Sequence, residues 1–496
     1  MEYLDPRSRR LHTIRLMIGY GLMTILIFTA TMILVYRAYG FDVDRKTGQV
    51  IQNGLVYLDS APDKASVYIN GELQKNRTNT SFLLKEGNYT ITLKRDGYRD
   101  WNKQIDLRGG DIYRINYPMF FQNDLSTKEL TSVGRTDQAF YSQSPDRRWI
   151  LSSTISRPLV YTQFDLKNLE SNNTPVSSVL NFPNEVFTTS DEASIFEVIE
   201  WSNDNQHFLV KHSYGQTVEF VMLNRDRPET SFNINKLLGV NPVAITLLDK
   251  NFDKWVLTDA SGNLTIMDAR KNLAQFAKST TSYKTFNENI IVYSQKSPDG
   301  QGQAVYIKQN DTTKLLTKIK TGTVAVDITK YGDHFYVAVA SSGDKKTYIY
   351  KDPWQRLLKN PGMSIAPLAI FHSKNSDFSG LSFSGNSRYA FVRDGQHFST
   401  YDIEMDKSYS FNFGQKIDDN TKVRWMDGTR LLVLSNGVNY SVEYDGTNVQ
   451  KLIPSISYKS LFFDRDYVTM YAFLPAKSDP ATLEFNKSDI RYVQDK

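Results

Sequence analysis

The chain has 496 residues, 40% hydrophobic and 13% aromatic, so it is long enough for more than one domain and has ample apolar material for packed cores. Its net charge of +5 contains no long basic block, which argues against a nucleic-acid partner. It has no cysteine, which excludes disulfides and thiol-linked lipid anchors and fits a bacterial exported protein.

An apolar run near the N-terminus, residues 16–36, holds 21 residues without a charge. As a helix at about 1.5 Å per residue it would reach about 31 Å, close to the hydrocarbon thickness of a bilayer. The preceding segment, residues 1–15, carries four arginines against two acids. The positive-inside bias therefore places this segment in the cytoplasm and everything after about residue 37 outside the membrane.

A cleaved signal peptide is the competing interpretation of this run, because it also begins with a basic segment and an apolar one. The run is longer than a signal-peptide core, and the sequence VYRAYGFDV that follows lacks a small-x-small cleavage site. A buried core helix would normally have a polar face. We therefore predict an uncleaved transmembrane helix, with residues 37–54 as a linker.

Residues 55–119 carry short apolar alternations separated by turn signals. Period-two patterns cover residues 67–69, 89–93, 105–107 and 112–115, as expected for half-buried strands. Asn70-Gly71, flanked by two such stretches, predicts a tight hairpin. This stretch is predicted to fold as a β-sandwich of about five to seven short strands.

Several residues of this stretch match a known domain pattern: Pro62, Ala65, Asn70-Gly71, Gly87-Asn88-Tyr89, and the pair Gly97-Tyr98. In these positions the stretch resembles the PEGA domain, a small exported β-sandwich that often lies just outside a membrane anchor. Pro62-Asp63-Lys64-Ala65 replaces the family's Pro-Glu-Gly-Ala, and Thr78-Asn79 replaces its Thr-Pro. The resemblance implies a non-catalytic extracytoplasmic module.

From about residue 125 one unit recurs: a turn rich in Asp, Asn and Gly, an apolar strand, a loop, and a second strand that often ends in Asp. Eight units are visible in the sequence, at residues 144–166, 202–223, 249–269, 286–309, 330–352, 384–403, 426–445 and 464–486. Four-stranded units at this spacing, without helices, predict a β-propeller of seven or eight blades over residues 125–496. Residues 125–133 could supply the strand that closes the last blade.

The turn Ser144-Pro145-Asp146 and the strand after it resemble the repeats of TolB-like propellers, over residues 144–151 only. Two or more stacked β-sandwiches are the alternative architecture. The predicted fold class is an all-β exterior, made of a small β-sandwich and a β-propeller, behind one N-terminal transmembrane helix.

The sequence lacks the common motifs that indicate an enzyme. There is no Gly-x-Ser-x-Gly, no HExxH and no phosphate-binding glycine loop. His207 and His212 flank one predicted strand and should point to opposite faces, so they are poor partners for a metal. The sequence thus predicts no catalytic residue, no cofactor and no metal site.

Paired carboxylates leave an enzymatic alternative open. A glycosidase needs two acids about 5–9.5 Å apart, and sequence spacing does not reveal that distance. Asp249 with Asp253, or Asp418 with Asp419, could form such a pair. Aspartate at a blade turn more commonly caps the backbone, which is the interpretation we favour.

Tryptophan side chains can bind sugars by stacking, so each tryptophan is a candidate for a ligand site. Trp149, Trp201, Trp255 and Trp425 recur at similar positions of the repeat, which favours core packing. Trp354, beside a proline in KDPWQRL, is the candidate for stacking on a ligand.

These features predict a membrane-anchored, extracytoplasmic binding or scaffold protein of the cell envelope that is not an enzyme. Its expected partners are the lipid bilayer and an envelope polysaccharide or protein. An anchored hydrolase of envelope glycans is the alternative.

Overall fold

The computed structural model describes residues 6–38, 40–43, 48, 50–135, 139–154, 158–170, 174–298, 300–310, 312–360, 362, 364–372, 380–418, 421–457 and 459–492. Two compact units divide the chain, one reaching from the N-terminus to Asn123 and the other covering Asp124–Gln494.

The first element is a long apolar helix, α1 (Pro6–Ala38). Its part Arg10–Ala38 is long and apolar enough to cross a membrane, and the most apolar 18 residues within it have a mean hydropathy of 2.1. The hydroxyls of Thr24, Thr29 and Thr31 each donate to the carbonyl four residues earlier at 2.8 Å, so they need no water. The helix is longer at both ends than the predicted span of residues 16–36, because its flanking arginines are good helix formers.

A two-stranded ribbon follows in the stretch expected to be a linker. It pairs β1 (Phe41–Val43) with β2 (Val50–Gln52) in antiparallel register. Phe41 stacks on Tyr36 of α1, with 5.0 Å between the ring centroids.

The small domain is a sandwich of two sheets. Its seven strands are β3 (Gly54–Leu58), β4 (Ser66–Ile69), β5 (Glu72–Arg77), β6 (Thr80–Leu84), β7 (Gly87–Lys94), β8 (Trp101–Leu107) and β9 (Ile112–Ile115). One sheet has the order β6-β3-β9 and the other β5-β4-β7-β8. Alternate residues point between the sheets, as in β8, whose side chains are buried and exposed in turn. The predicted sandwich is therefore confirmed.

Two turns of this domain have left-handed backbone conformations at positions of the PEGA-like pattern. One turn keeps the residues of that pattern and the other does not. Asn70 and Gly71 both have positive φ, +51° and +83°, which confirms the tight hairpin between β4 and β5. Lys64 stands where the family has glycine and also has a left-handed φ of +59°. The backbone conformation that suits glycine is thus kept here without it.

The second unit begins with β10 (Lys128–Arg135) and then forms blades of four antiparallel strands. The first blade is β11 (Ala139–Gln143), β12 (Trp149–Thr154), β13 (Val160–Glu170) and β14 (Thr174–Asn181); the second is β15 (Ser194–Trp201), β16 (His207–Tyr214), β17 (Thr217–Asn224) and β18 (Phe232–Asn233). The third is β19 (Ala244–Leu247), β20 (Lys254–Thr258), β21 (Leu264–Asp268) and β22 (Leu273–Ala277); the fourth is β23 (Thr280–Phe286), β24 (Ile290–Lys296), β25 (Gln303–Gln309) and β26 (Thr312–Ile319).

The remaining blades follow the same order along the chain. The fifth is β27 (Val324–Tyr331), β28 (His334–Ser341), β29 (Lys346–Lys351) and β30 (Ala369–His372); the sixth is β31 (Gly380–Phe383), β32 (Tyr389–Asp394), β33 (His397–Asp402) and β34 (Lys407–Asn412). The seventh is β35 (Arg424–Trp425), β36 (Arg430–Ser435), β37 (Val438–Glu443) and β38 (Gln450–Pro454); the eighth contains β39 (Leu461–Phe463), β40 (Thr469–Pro475) and β41 (Thr482–Asp489). Two short helices, α2 (Ile234–Leu238) and α3 (Pro353–Lys359), lie in the second and fifth blades.

The eighth blade is completed by the first strand of the unit. β10 pairs antiparallel with β41, from Lys128 opposite Lys487 to Arg135 opposite Thr482. This pairing closes the ring and removes a free sheet edge. The described residues thus form an eight-bladed propeller, and the closing strand lies where the sequence predicted strand material.

In two blades, the Asp near the end of the second strand of the sequence repeat forms the same polar pair with an arginine. In the first blade, Arg148 donates to both carboxylate oxygens of Asp165, at 2.8 and 2.7 Å. In the sixth, Arg388 does the same to Asp402, at 2.9 and 2.7 Å. Each pair ties the turn before the second strand of the blade to the third strand, within β13 in the first blade and at the end of β33 in the sixth.

The cores of this unit lie between neighbouring blades. First strands of neighbouring blades contact each other, as β11 contacts β15 and β27 contacts β31, and apolar clusters join residues of adjacent blades. Between the eighth and first blades, for example, Phe164 stacks on Phe485 at 4.2 Å. Burial between blades makes the strands apolar on both faces, which is why the sequence shows continuous apolar runs there.

Candidate functional site

The site is built around α3, which interrupts the connection from β29 to β30 in the fifth blade. Pro353 is its first residue, a position where the missing N–H of proline costs nothing. Leu357 is buried and packs into the apolar cluster that includes Leu316 of β26 in the fourth blade. The helix therefore bridges the outer sides of two blades.

Two cavities lie beside this helix. One has a volume of about 620 Å³ and is lined by residues of β29, α3 and the loop before β30: Lys351, Asp352, Gln355, Arg356, Lys359, Ala366, Pro367 and Leu368. The other has a volume of about 580 Å³ and is lined on its β26 side by residues 314–318 and on its α3 side by Leu357, Gly362 and Ser364. Their lining comes from the fourth strand of one blade and the third strand of the next, from α3 and from the loop before β30, and it includes no residue of a first strand among those described.

The charge of this lining is strongly one-sided. It includes five cationic side chains, which we call the basic groove: Lys314, Lys318, Lys351, Arg356 and Lys359. The carboxylate among the described lining residues is Asp352, whose oxygens accept hydrogen bonds from His334 Nδ1 at 2.6 Å and from the Phe335 N–H at 2.9 Å. A cluster of one sign like this raises the local concentration of anionic ligands.

Exposed apolar side chains accompany the basic groove. Leu315 and Leu368 line the cavities and are 41% and 40% exposed, although leucine is usually inside. Leu358 of α3 and Ile370 of β30, in the same segments of the chain, are 45% and 46% exposed. The site therefore offers cationic groups together with accessible hydrocarbon, a combination that suits a ligand with acidic groups on a partly apolar framework.

Trp354 belongs to the first turn of α3 and is half-buried. Its ring packs against the apolar cluster between the fourth and fifth blades, which includes Val337 and Leu357. It is not among the described residues that line the two cavities. The predicted stacking site is thus next to the basic groove, with Trp354 contributing packing, and its role in binding stays a prediction.

The other tryptophans of the propeller differ in burial. Trp201 and Trp255 are buried, at 6% and 0% exposure, as their repeat positions suggest. Trp425 is half-buried and packs against an apolar cluster of the sixth and seventh blades. Trp149, also half-buried, has the guanidinium groups of Arg148 and Arg225 over its ring, at 4.5 and 3.9 Å from the ring centroid.

The histidines noted in the sequence point to opposite faces of β16, as predicted. His207 Nδ1 lies 2.6 Å from Asp204, and its ring stacks on Phe252 of the third blade. His212 instead stacks on Phe196, and its Nδ1 lies 2.8 Å from Glu219. Among the described residues, no group of three His, Asp or Glu side chains is placed to hold a metal ion.

The proposed carboxylate pairs lie at turns. Asp249 has a left-handed φ of +52° in the turn after β19, and its carbonyl accepts from Asn203. Asp418 accepts the N–H groups of Asn436 and Gly437, while Asp419 is outside the described residues. The side chains of Asp204, Asp427 and Asp464 also accept backbone N–H groups of blade turns, as the sequence predicts for turn aspartates.

The groove was not predicted from the sequence. Its cations lie in two segments, 314–318 and 351–359, about forty residues apart, and only the stacking of adjacent blades brings them together. The available signal was the pair of similar strings KLLTK and RLLK, in which two leucines are flanked by cations.

Residues 53–120 match the PEGA domain family. The chain matches no curated protein. Among solved structures, the propeller of Dos1 is similar with 10% identity and a TM-score of 0.44, covering 73% of this chain and 94% of that one. Hsv2 from Kluyveromyces lactis is similar with 12% identity and a TM-score of 0.40, over 72% of this chain and 100% of that one. Apo AztD from Citrobacter koseri has 8% identity and a TM-score of 0.37, over 79% and 95%.

Proposed function

We propose that this chain is a membrane-anchored binding or scaffold protein of a bacterial cell envelope, and that the basic groove beside α3 holds its ligand. The observation that carries the proposal is the concentration of five cations against one already bonded carboxylate among the described lining residues of the two cavities beside α3. The ligand is an acidic envelope polymer, either a polysaccharide or a protein. Binding of this kind needs no catalytic residue, cofactor or metal.

The location of the protein is part of the same proposal. α1 anchors the chain by a single pass, with the N-terminus in the cytoplasm and both folded units outside. The four arginines before the apolar run support this orientation. The absence of cysteine from the sequence supports an origin in a bacterial envelope.

The TolB-like type of the propeller also belongs to the proposal. Its support is the turn at Ser144, whose Oγ accepts the N–H of Trp149 at 3.0 Å while Asp146 accepts that of Arg148 at 3.1 Å. The same arrangement recurs in the sixth blade, where Ser384 Oγ accepts the N–H of Tyr389 at 3.0 Å.

The test compares charge reversal in the groove with charge reversal elsewhere. The groove variant is Lys351→Glu/Arg356→Glu/Lys359→Glu, and the matched control, at exposed positions of the third and fourth blades, is Lys271→Glu/Lys278→Glu/Lys296→Glu. Full-length chains in detergent are passed over immobilised polygalacturonate, dextran and isolated envelope material. We expect the wild type and the control to be retained on polygalacturonate and envelope material but not on dextran, and the groove variant to pass through.

Two results separate the parts of the proposal. Equal loss of retention in both variants would mean that only net charge matters and that the groove is not the site. A separate single variant, Trp354→Ala, tests whether the half-buried ring contributes to ligand binding. A stacking role requires weaker retention of this variant on the polymer with unchanged thermal unfolding.

A further inference from the structure

A row of polar side chains crosses the second blade near the beginning of its first strand. Ser194 is the first residue of β15, His212 lies on β16, and Glu219 lies on β17. The strand register places His212 opposite both Phe196 and Glu219, so the three polar side chains share one face of the sheet. They are brought together by strand pairing, at sequence separations of 18 and 7 residues.

The three side chains of this row are linked by hydrogen bonds. Ser194 Oγ lies 3.0 Å from His212 Nε2, and Glu219 Oε1 lies 2.8 Å from His212 Nδ1. This is the order of atoms found in hydrolases that use serine, histidine and a carboxylate: hydroxyl, Nε2, Nδ1, acid.

Glu219 is held as a carboxylate. Burial alone would raise its pKa, but hydrogen bonds from His212, from the N–H and hydroxyl of Thr188, each at 2.7 Å, and from Asn233 Nδ2 at 2.8 Å outweigh it and lower the pKa to about 2. An ionised carboxylate only accepts hydrogen bonds, so His212 must donate to it from Nδ1. In neutral His212, Nε2 is then the acceptor for the hydroxyl of Ser194.

The histidine ring is fixed in this orientation and shielded. It is 1% exposed and stacks on Phe196 with 4.3 Å between centroids and an angle of 3°. Ser194 is half-buried, and its neighbours at 191–193 and Ile195 are exposed. The hydroxyl therefore lies at the accessible end of the row, and the base and acid lie behind it.

We propose that Ser194 is the nucleophile of an acyl-transfer site that hydrolyses carboxylic esters, with His212 as general base and Glu219 as the positioning residue for the imidazole. Ser194 Oγ forms a bond to the ester carbonyl carbon as its proton passes to His212 Nε2. The carbon–oxygen bond to the alcohol then breaks, the alcohol leaves with that proton, and an acyl ester of Ser194 is left. Water, deprotonated by His212, attacks this ester and releases the carboxylic acid and free Ser194. The site is separate from the basic groove and does not depend on ligand binding there.

The test is covalent labelling of the full-length chain in detergent with a fluorophosphonate, read by intact mass and peptide mapping, and hydrolysis of p-nitrophenyl acetate. We expect one label per chain, on Ser194, and ester hydrolysis above the buffer rate. Ser194→Ala removes both, and His212→Asn lowers the hydrolysis rate by about 10²–10⁴-fold.

Ser190→Ala is the matched control, because Ser190 lies in the segment just before β15 and its Oγ accepts the N–H of Glu192 rather than contacting a histidine. It should keep labelling and hydrolysis at the wild-type level. Ser194→Ala removes one half-buried hydroxyl, so thermal unfolding should show that it is folded even where His212→Asn is not. An unlabelled wild type under conditions that fully label trypsin, or labelling that persists in Ser194→Ala, would overturn the proposal and leave the row a structural network.

Discussion

The Arg388–Asp402 pair gives the sharpest test of how the blades are held together. Asp402 has no exposed side-chain surface and Arg388 is 13% exposed, whereas the same bidentate pair in the first blade, Arg148 with Asp165, is 39% and 9% exposed. The bond lengths are nearly the same in the two pairs. The sixth-blade pair differs in its burial and in a second acid, because Arg388 also forms an ion pair with Glu404.

Replacing the arginine by methionine removes the cation and keeps much of the side-chain volume. Arg388→Met leaves the Asp402 carboxylate buried with only the N–H groups of Glu404 and Met405, at 3.0 and 3.2 Å, to satisfy it. Removing one partner of a buried pair costs about 3–5 kcal/mol. Asp165 is also buried, but Arg148 is 39% exposed, so Arg148→Met admits water to the carboxylate and should cost less, about 1 kcal/mol, near the upper end for exposed pairs.

The assay is urea unfolding of the full-length chain in detergent, followed by tryptophan fluorescence. A difference of about 2–4 kcal/mol between the two variants appears as a clearly lower urea midpoint for Arg388→Met at similar slope. The double variant Arg388→Met/Asp402→Asn should recover part of the loss, because it no longer buries an unpaired charge. Equal midpoints for Arg388→Met and Arg148→Met would refute the reasoning that burial sets the cost.

Three further predictions concern closure, pH and topology. Deleting residues 124–135 removes β10 and exposes the edge of β41, so we expect a lower unfolding temperature and self-association by light scattering; a stable, monodisperse variant would show that closure is dispensable. The pKa of Glu219 in the folded chain is about 2, below its ordinary value of about 4.3, so the unfolded chain binds more protons between these pH values. The stability of the wild type should therefore fall as the pH drops from about 4 toward 2. The urea midpoint of Glu219→Gln should fall less over that range, and an equal fall would count against a contribution from Glu219. Because the chain has no cysteine, Ser8→Cys and Lys345→Cys can be treated with an impermeant maleimide on intact cells, and we expect labelling only at position 345; labelling only at position 8 would reverse the orientation.

The parts of the fold predicted from sequence are those with local causes. The apolar helix follows from a run of uncharged residues, and the hairpin at Asn70-Gly71 follows from two residues that accept positive φ. The eight repeat units were visible because each contains a turn and two long central strands of one blade. The first strand of a blade varies in length, from eight residues in β15 and β27 to two, Arg424–Trp425, in the seventh blade, so individual blades could not be delimited from pattern alone.

The sites depend on long-range pairing, which leaves little trace in a single sequence. The basic groove requires β26 of one blade to face α3 of the next. The row of Ser194, His212 and Glu219 requires the exact register of three strands, since a shift by one residue would turn His212 to the other face. The prediction that the chain is not an enzyme rested on short motifs, and a short motif does not contain residues that only strand pairing brings together.

The most direct test of the proposed function is the affinity of the full-length chain for soluble polygalacturonate, measured by calorimetry at several salt concentrations. Screening shortens the reach of exposed charges from about 30 Å at 0.01 M to about 8 Å at 0.15 M salt. If the basic groove holds the ligand, the affinity of the wild type and of Lys271→Glu/Lys278→Glu/Lys296→Glu falls steeply with salt, and Lys351→Glu/Arg356→Glu/Lys359→Glu binds weakly at every concentration. Wild-type affinity that is undetectable at low salt, or unchanged in the groove variant, would contradict the account.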